Sequence, residues 1–186
     1  MSATPNAMSL LLPAMSLWRR EVVRFVRQRS RVIGALGTPV VFWLLIGSGL
    51  RDSFRLTTAG EARPTEMNFL EYSFPGTLVL IVLFTAMFST ISIIEDRREG
   101  FLQAVIAAPV RRTAIVLGKV MGSTTLALLQ ALLFLMLAPL SGIPLTIGSV
   151  LAMAFVLTIV GVGLSALGFL IAWPMDSTQG FHAVMN

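Results

Sequence analysis

The chain has 186 residues, of which 55% are hydrophobic and only 12% charged, with a formal net charge of +5. Soluble domains carry about a quarter charged residues, so this composition, with a mean hydropathy of +0.84, excludes an ordinary soluble domain and marks an integral membrane protein. The apolar runs are continuous rather than alternating, which excludes a β-barrel; the basic residues stand beside those runs, where lipid head groups rather than nucleic acid account for them; and the absence of cysteine excludes disulfides and thiolate metal sites.

In chain order, the stretch Met8–Leu17 is apolar but precedes the first basic cluster. A signal peptide has the reverse order, so the N-terminus is expected to be retained. Between residues 17 and 32, Leu17, Trp18, Val22, Phe25 and Val26 recur at helical spacing, with Arg19, Arg20, Arg24, Arg27 and Arg31 between them. This pattern predicts an amphipathic helix in the inner membrane interface, with Trp18 at head-group level. A plain basic anchor is the alternative. Four spans follow: Val32–Leu50, Tyr72–Ile94, Ile115–Leu140 and Ile147–Ala172. Each is long enough for a hydrocarbon core of roughly 30 Å. The turn-rich connector Ser141–Thr146 predicts a tight antiparallel hairpin of the third and fourth spans. After Trp173-Pro174-Met175-Asp176-Ser177 a further segment opens at Thr178, so the sequence reads as interrupted. The expected fold is all-α: one polytopic transmembrane helical bundle over residues 1–186, with four full spans and the start of a fifth.

Orientation follows from Arg and Lys. Six arginines, Arg19, Arg20, Arg24, Arg27, Arg29 and Arg31, precede the first span. Arg97, Arg98, Arg111 and Arg112 lie between the second and third, with Lys119 just inside the third. The loop after the first span has Arg51, Arg55 and Arg63 diluted by Asp52, Glu61, Glu66 and Glu71, and the Ser141–Thr146 connector has no basic residue. Positive charge marks the cytoplasmic side. The N-terminus and the 95–112 loop are therefore expected inside the cell membrane (the inner membrane of a two-membrane cell). Cysteines placed singly at Thr58 and Gln103 are expected to react with an impermeant maleimide from opposite sides. Labelling of both from outside would refute this orientation.

The 95–112 loop carries the most specific pattern. Glu95 to Glu99 lead the second span out of the bilayer, and Gly100 suits a helix stop in the left-handed region. Phe101, Leu102, Val105 and Ile106 then share one face of a short new helix, which Pro109 ends. Too short to span, this helix suits docking onto a soluble partner or lying on the membrane surface. Within the spans, Gly118-Lys119 is no phosphate loop, because Val120 follows where Ser or Thr is needed and Thr113 replaces the first Gly. Lys119 is expected to snorkel to the inner surface. Gly118 and Gly122, and Gly161 with Ser165, are expected at helix contacts. Gln130 is the strongly polar residue of the third span, placed for an interhelical hydrogen bond or a substrate contact. His182 lacks metal-ligand companions. No paired carboxylates lie within the spans, against a proton-coupled carrier, and no nucleophile–base–orienter set can be assembled, against an intramembrane hydrolase; a transporter subunit rather than an enzyme is expected.

Taken together, Glu95-Asp96-Arg97-Arg98-Glu99-Gly100-Phe101-Leu102, Ala108-Pro109-Val110-Arg111-Arg112 and Leu117-Gly118-Lys119 resemble the cytoplasmic loop of ABC type-2 exporter permeases. Glu71-Tyr72-Ser73-Phe74-Pro75-Gly76 resembles the family's entry to its second span, and Leu17-Trp18-Arg19-Arg20-Glu21 its interfacial helix. Within the family the pattern is most similar to daunorubicin-resistance-type multidrug permeases. The resemblance implies a six-span permease, of which this chain stops before the fifth and sixth spans. It also implies pairing with a second permease copy, as a homodimer or with a related permease, above ABC ATPase subunits. The permease itself would hold no cofactor; ATP and magnesium would sit on the partner. Glu99, Gly100, Phe101, Leu102, Val105, Ile106 and Pro109 would form the coupling helix seated in the ATPase. The expected function is export of a drug or other hydrophobic compound. Export of a lipid or lipid-linked polysaccharide, or a non-transporting membrane scaffold, are the alternatives.

Overall fold

Helices are the only structure this sequence can carry through lipid, since each must satisfy its own backbone groups. The computed structural model describes residues 8–50, 56–57 and 66–185. In chain order it has α1 (Met8–Arg27), α2 (Arg29–Gly49), α3 (Phe69–Ser89), α4 (Ile91–Arg98), α5 (Phe101–Ala107), α6 (Arg112–Leu135), α7 (Ile147–Ala172) and α8 (Thr178–Met185). A 3₁₀ turn, Ala138–Ser141, separates α6 from α7. Two short strands, β1 (Leu56–Thr57) and β2 (Glu66–Met67), pair antiparallel between α2 and α3. Arg51, Asp52, Arg55, Thr58, Glu61 and Arg63 lie outside the described residues.

Four helical segments are long and apolar enough to cross a membrane: Val32–Gly49, Phe69–Arg98, Arg112–Leu135 and Ile147–Ala172. The fold is the all-α polytopic bundle. Its boundaries differ from the sequence reading where side chains compete with the helical ladder. The second span starts at an Asn68 cap, whose Oδ1 accepts the Glu71 N–H at 2.9 Å. It breaks at Thr90, where the Ser89 and Thr90 hydroxyls donate back to the Ala86 and Met87 carbonyls at 3.1 and 2.6 Å. α4 then continues beyond Ile94 to Arg98. The third span begins at Arg112 rather than Ile115 and ends at Leu135. Residues 138–141 form the 3₁₀ turn, with Gly142 at φ +90° after it. α7 opens on a Thr146/Ser149 capping box at the boundary expected from sequence. The amphipathic helix starts at Met8, not Leu17, and ends at Arg27; Val32 belongs to α2.

Two apolar clusters hold the bundle. One joins α2, α3, α6 and α7, with Phe74 stacked on Phe134 at 4.8 Å and Trp43 edge-on to both. The Trp43 indole N–H donates to the Leu70 carbonyl at 3.1 Å, so its polar atom is satisfied in the core. The other joins α1, α4, α5, α6, α7 and α8 through Leu17, Ile93, Ile94, Leu102, Ile115, Phe169 and Phe181. Much of α7 faces outward through Ile147, Leu151, Phe155, Ile159 and Leu170. This explains why its apolar run shows no amphipathic stripe: lipid covers what the bundle does not.

Candidate functional site

The site is built where α1 crosses α6. Gly118 and Gly122 lie one turn apart on α6 and form the floor of this crossing. A Cβ added at Gly118 would stand 2.7 Å from the Leu17 Cβ and 2.8 Å from the Ala14 carbonyl oxygen; at Gly122 it would stand 2.8 Å from the Glu21 Cβ. Without side chains there, α1 lies directly on α6. The Trp18 indole N–H donates to Thr125 Oγ1 at 3.0 Å beside the contact. The same approach carries Glu21 over Lys119, between the two glycines.

Lys119 is 3% exposed. Its ammonium donates to Glu21 Oε1, to Asp96 Oδ2 and, at 3.1 Å, to Ser92 Oγ. It does not snorkel to the surface as the sequence suggested. Two carboxylates on α1 and α4 reach it inside the bundle, which offsets the loss of water. Asp96 is fully buried. Arg20 forks onto both its oxygens at 2.9 and 2.7 Å, and Arg24 donates to Oδ1 at 2.9 Å. Three cations from two helices thus converge on one carboxylate. Arg24 also pairs with Glu95 at 3.0 Å and Glu99 at 3.3 Å. The Arg20 guanidinium lies 3.6 Å above the Phe101 ring. Hydrogen bonding to Asp96 raises the Arg20 pKa above its ordinary value, against the opposing effect of burial. The cluster therefore ties α1, α4 and α6 together immediately before α5.

Gly100 has φ +75°, the left-handed stop that its place in the sequence requires. α5 runs Phe101–Ala107, with Glu99 before the glycine and Pro109 after the helix. The structure divides the four apolar residues expected on one docking face. Leu102 is 4% exposed and belongs to the chain's own core. Phe101 and Val105 are half-buried, lining a small groove with Pro13, Ser16 and Leu17 of α1. Ile106 remains outward at 45% exposure, beside exposed Gln103, Ala107 and Pro109. α1 occupies the side the sequence had left open, because the charge cluster holds it there.

Within the bundle, Gln130 is 2% exposed and accepts a hydrogen bond from Thr85 of α3. Its Nε2 has no partner among the described residues. Gly161 and Ser165 of α7 face Thr124 of α6; a Cβ at Gly161 would stand 3.3 Å from Thr124 Cγ2, and the Thr124 hydroxyl donates to Ser165 Oγ at 3.4 Å. A cavity of about 700 Å³ opens between α2 and α3, walled by Phe42, Trp43, Phe69, Phe84 and Phe88 and reaching Thr85. His182 of α8 lines its end, 5.4 Å from the Phe88 ring.

Sequence reasoning did not single out Arg20, Glu21, Arg24 or Asp96. One signal was available. Lys119 lies just inside the third span and Glu95-Asp96 stand just past the second, at similar depth, and charges inside a bundle pair with one another. Among known proteins, "Putative transport permease ycf38" of Cyanophora paradoxa is 24% identical over 159 residues, covering 84% of this chain and 53% of that protein. The chain thus spans about half the length of this curated relative. No solved structure matches it. The family described as ABC-2 type transporter matches residues 14–186, which include both ends of the charge cluster, α5 and all four candidate spans; the chain belongs to that family.

Proposed function

We propose that this chain is the membrane-spanning permease part of an ATP-driven exporter, with ATP and magnesium held by a separate ATPase subunit. The observation that carries the reading is α5. It is a seven-residue helix set off by Gly100 and Pro109. One side is rooted in the bundle through Leu102 and the Arg20–Phe101 contact, while Gln103, Ile106 and Ala107 face outward. A helix so short cannot stand by itself; rooted on one side and bare on the other, it suits force transmission from a docked partner. In this reading α5 and the N-terminus are cytoplasmic, the chain sits in the cell (inner) membrane, and it works paired with a second permease copy or a related permease. The aromatic cavity between α2 and α3 suits a hydrophobic cargo such as a drug. Its apolar walls accept a lipid acyl chain equally well, which keeps lipid or lipid-linked glycan export as the second reading.

The test is purification of the tagged full-length protein from its own membranes in mild detergent. A P-loop ATPase is expected to co-purify. Ile106→Asp, at an exposed position, is expected to leave insertion intact and lower ATPase retention about tenfold or more, since a carboxylate buried in an apolar contact costs several kcal/mol. Retention of some other protein, with no ATPase, would favour the scaffold reading. Unchanged retention in Ile106→Asp would remove α5 from the interface.

A further inference from the structure

α4 makes two different kinds of bond with its neighbours. Asp96, Arg97 and Arg98 are consecutive, so a helix points them about 100° apart. Asp96 points to α1 and α6. The two arginines point to the turn between α7 and α8. Arg97 donates through Nη2 to the Trp173 carbonyl and through Nη1 to the Met175 carbonyl at 3.5 Å, and it pairs with the Asp176 carboxylate at 3.5 Å. Its guanidinium lies 5.5 Å from the Trp173 ring centroid. Arg98 Nε donates to the Asp176 carbonyl at 3.0 Å.

The Trp173 carbonyl stands at the end of α7, and those of Met175 and Asp176 in the turn after it. The last carbonyls of a helix are orphaned, and a left-handed glycine beyond the end is the usual remedy. Here Pro174 follows Trp173, which is itself right-handed helical, so no glycine stop forms. Arg97 and Arg98 supply the donors from another helix. The sequence alone makes them look like ordinary positive-inside arginines.

The two attachments differ in how they can open. Asp96 is fully buried beneath Arg20, Arg24 and Lys119, and separating it would strand charges away from water. The bonds to the α7–α8 turn lie at or near the surface: the Asp176 side chain is 93% exposed, Arg98 is exposed and Arg97 is half-buried. Water can replace each of these bonds as it breaks. A displacement of α5 would therefore carry α4, α1 and the start of α6 together, and where α4 shifts against α7 the bonds to the α7–α8 turn are the ones that water can take over.

We propose that Arg97 and Arg98 are positioning residues that latch the end of the fourth span to α4, and that this latch opens and closes during each transport cycle. The proposal rests on the reading of α5 as the ATPase contact. It is tested with the full-length protein and its co-purified ATPase in liposomes, with MgATP as the probe. The Arg98→Cys/Asp176→Cys pair in this cysteine-free chain is bridged after purification with a cleavable bis-maleimide; the unmodified permease treated alike gives the background from the ATPase's own cysteines. Bridging is expected to slow ATP turnover about fivefold or more, and cleavage to restore it, because a locked conformational step limits the cycle. Spin labels on the 98/176 pair are expected to change separation on adding MgATP. Full turnover with the 98/176 bridge in place, or an unchanged spin-label distance, would overturn the latch. Absence of any ATPase bound to the unmodified permease would instead overturn the reading of α5.

Discussion

Lys119→Met is expected to destabilise the protein by about 3–5 kcal/mol, because it strips a buried cation from the Glu21 and Asp96 carboxylates. Asp96 would still have Arg20 and Arg24, at 2.7 and 2.9 Å. Glu21 would not be so well placed: its other cation is Arg20 at 3.8 Å, and Glu21 is only 5% exposed. The loss therefore falls mainly on Glu21. Adding Glu21→Gln to Lys119→Met removes that stranded charge and is expected to recover about half of the loss, on the order of 2 kcal/mol. The measurement is reversible unfolding in mixed micelles for the two single variants and the pair. A neutral Lys119→Met would mean that the ammonium is solvated at the surface. A pair no better than Lys119→Met alone would mean that Glu21 finds water by another route.

The second large effect belongs to the α1–α6 crossing. A methyl group at Gly118 meets the Ala14 carbonyl oxygen at 2.8 Å and the Leu17 Cβ at 2.7 Å, both close to the α1 backbone and unable to swing aside. Gly118→Ala must therefore lift α1 off α6. Overpacking of this kind costs about 1–3 kcal/mol, and the displacement would also admit water to Lys119. Gly163→Ala supplies the contrast. Gly163 sits in α7 with nothing within 4 Å of its added Cβ, so this change is expected to be neutral or slightly stabilising, since alanine is the better helix former. Thermal unfolding in detergent, followed by tryptophan emission because Trp18 lies beside the crossing, compares the two. Equal stability of Gly118→Ala and the unmodified protein would show that α1 does not bear on α6 through this face.

Both predictions concern a site that the sequence displays only in fragments. Gly118 and Gly122 were legible as a close-contact pair, and Gly100 and Pro109 as the ends of a short helix, because each effect acts within a few residues of backbone. Their neighbours were not legible. Arg20 and Arg24 look like membrane-anchoring charges, and Arg97 and Arg98 like topogenic ones. Nothing local separates an arginine facing phosphate from one facing a carboxylate 72 or 76 positions away in the chain. Leu102 and Ile106 illustrate the same limit. They share an apolar face by periodicity, yet one is 4% exposed and the other 45%, because α1 covers only part of that face.

By itself the sequence determined that residues 1–186 belong to a helical membrane protein and roughly where four candidate spans lie, because lipid demands about 20 apolar residues per crossing and, with no alternating pattern, tolerates only helix. It also determined the short charged-ended helix between the second and third spans, through glycine and proline acting locally. The tertiary structure alone decided that α1 lies on α6 and that Lys119, Asp96, Glu21 and the two α1 arginines close into one buried cluster. It decided as well that the α4 arginines hold the turn after the fourth span. These are pairings between distant segments, and their energy depends on burial and on distances of about 3 Å, which helical periodicity does not encode.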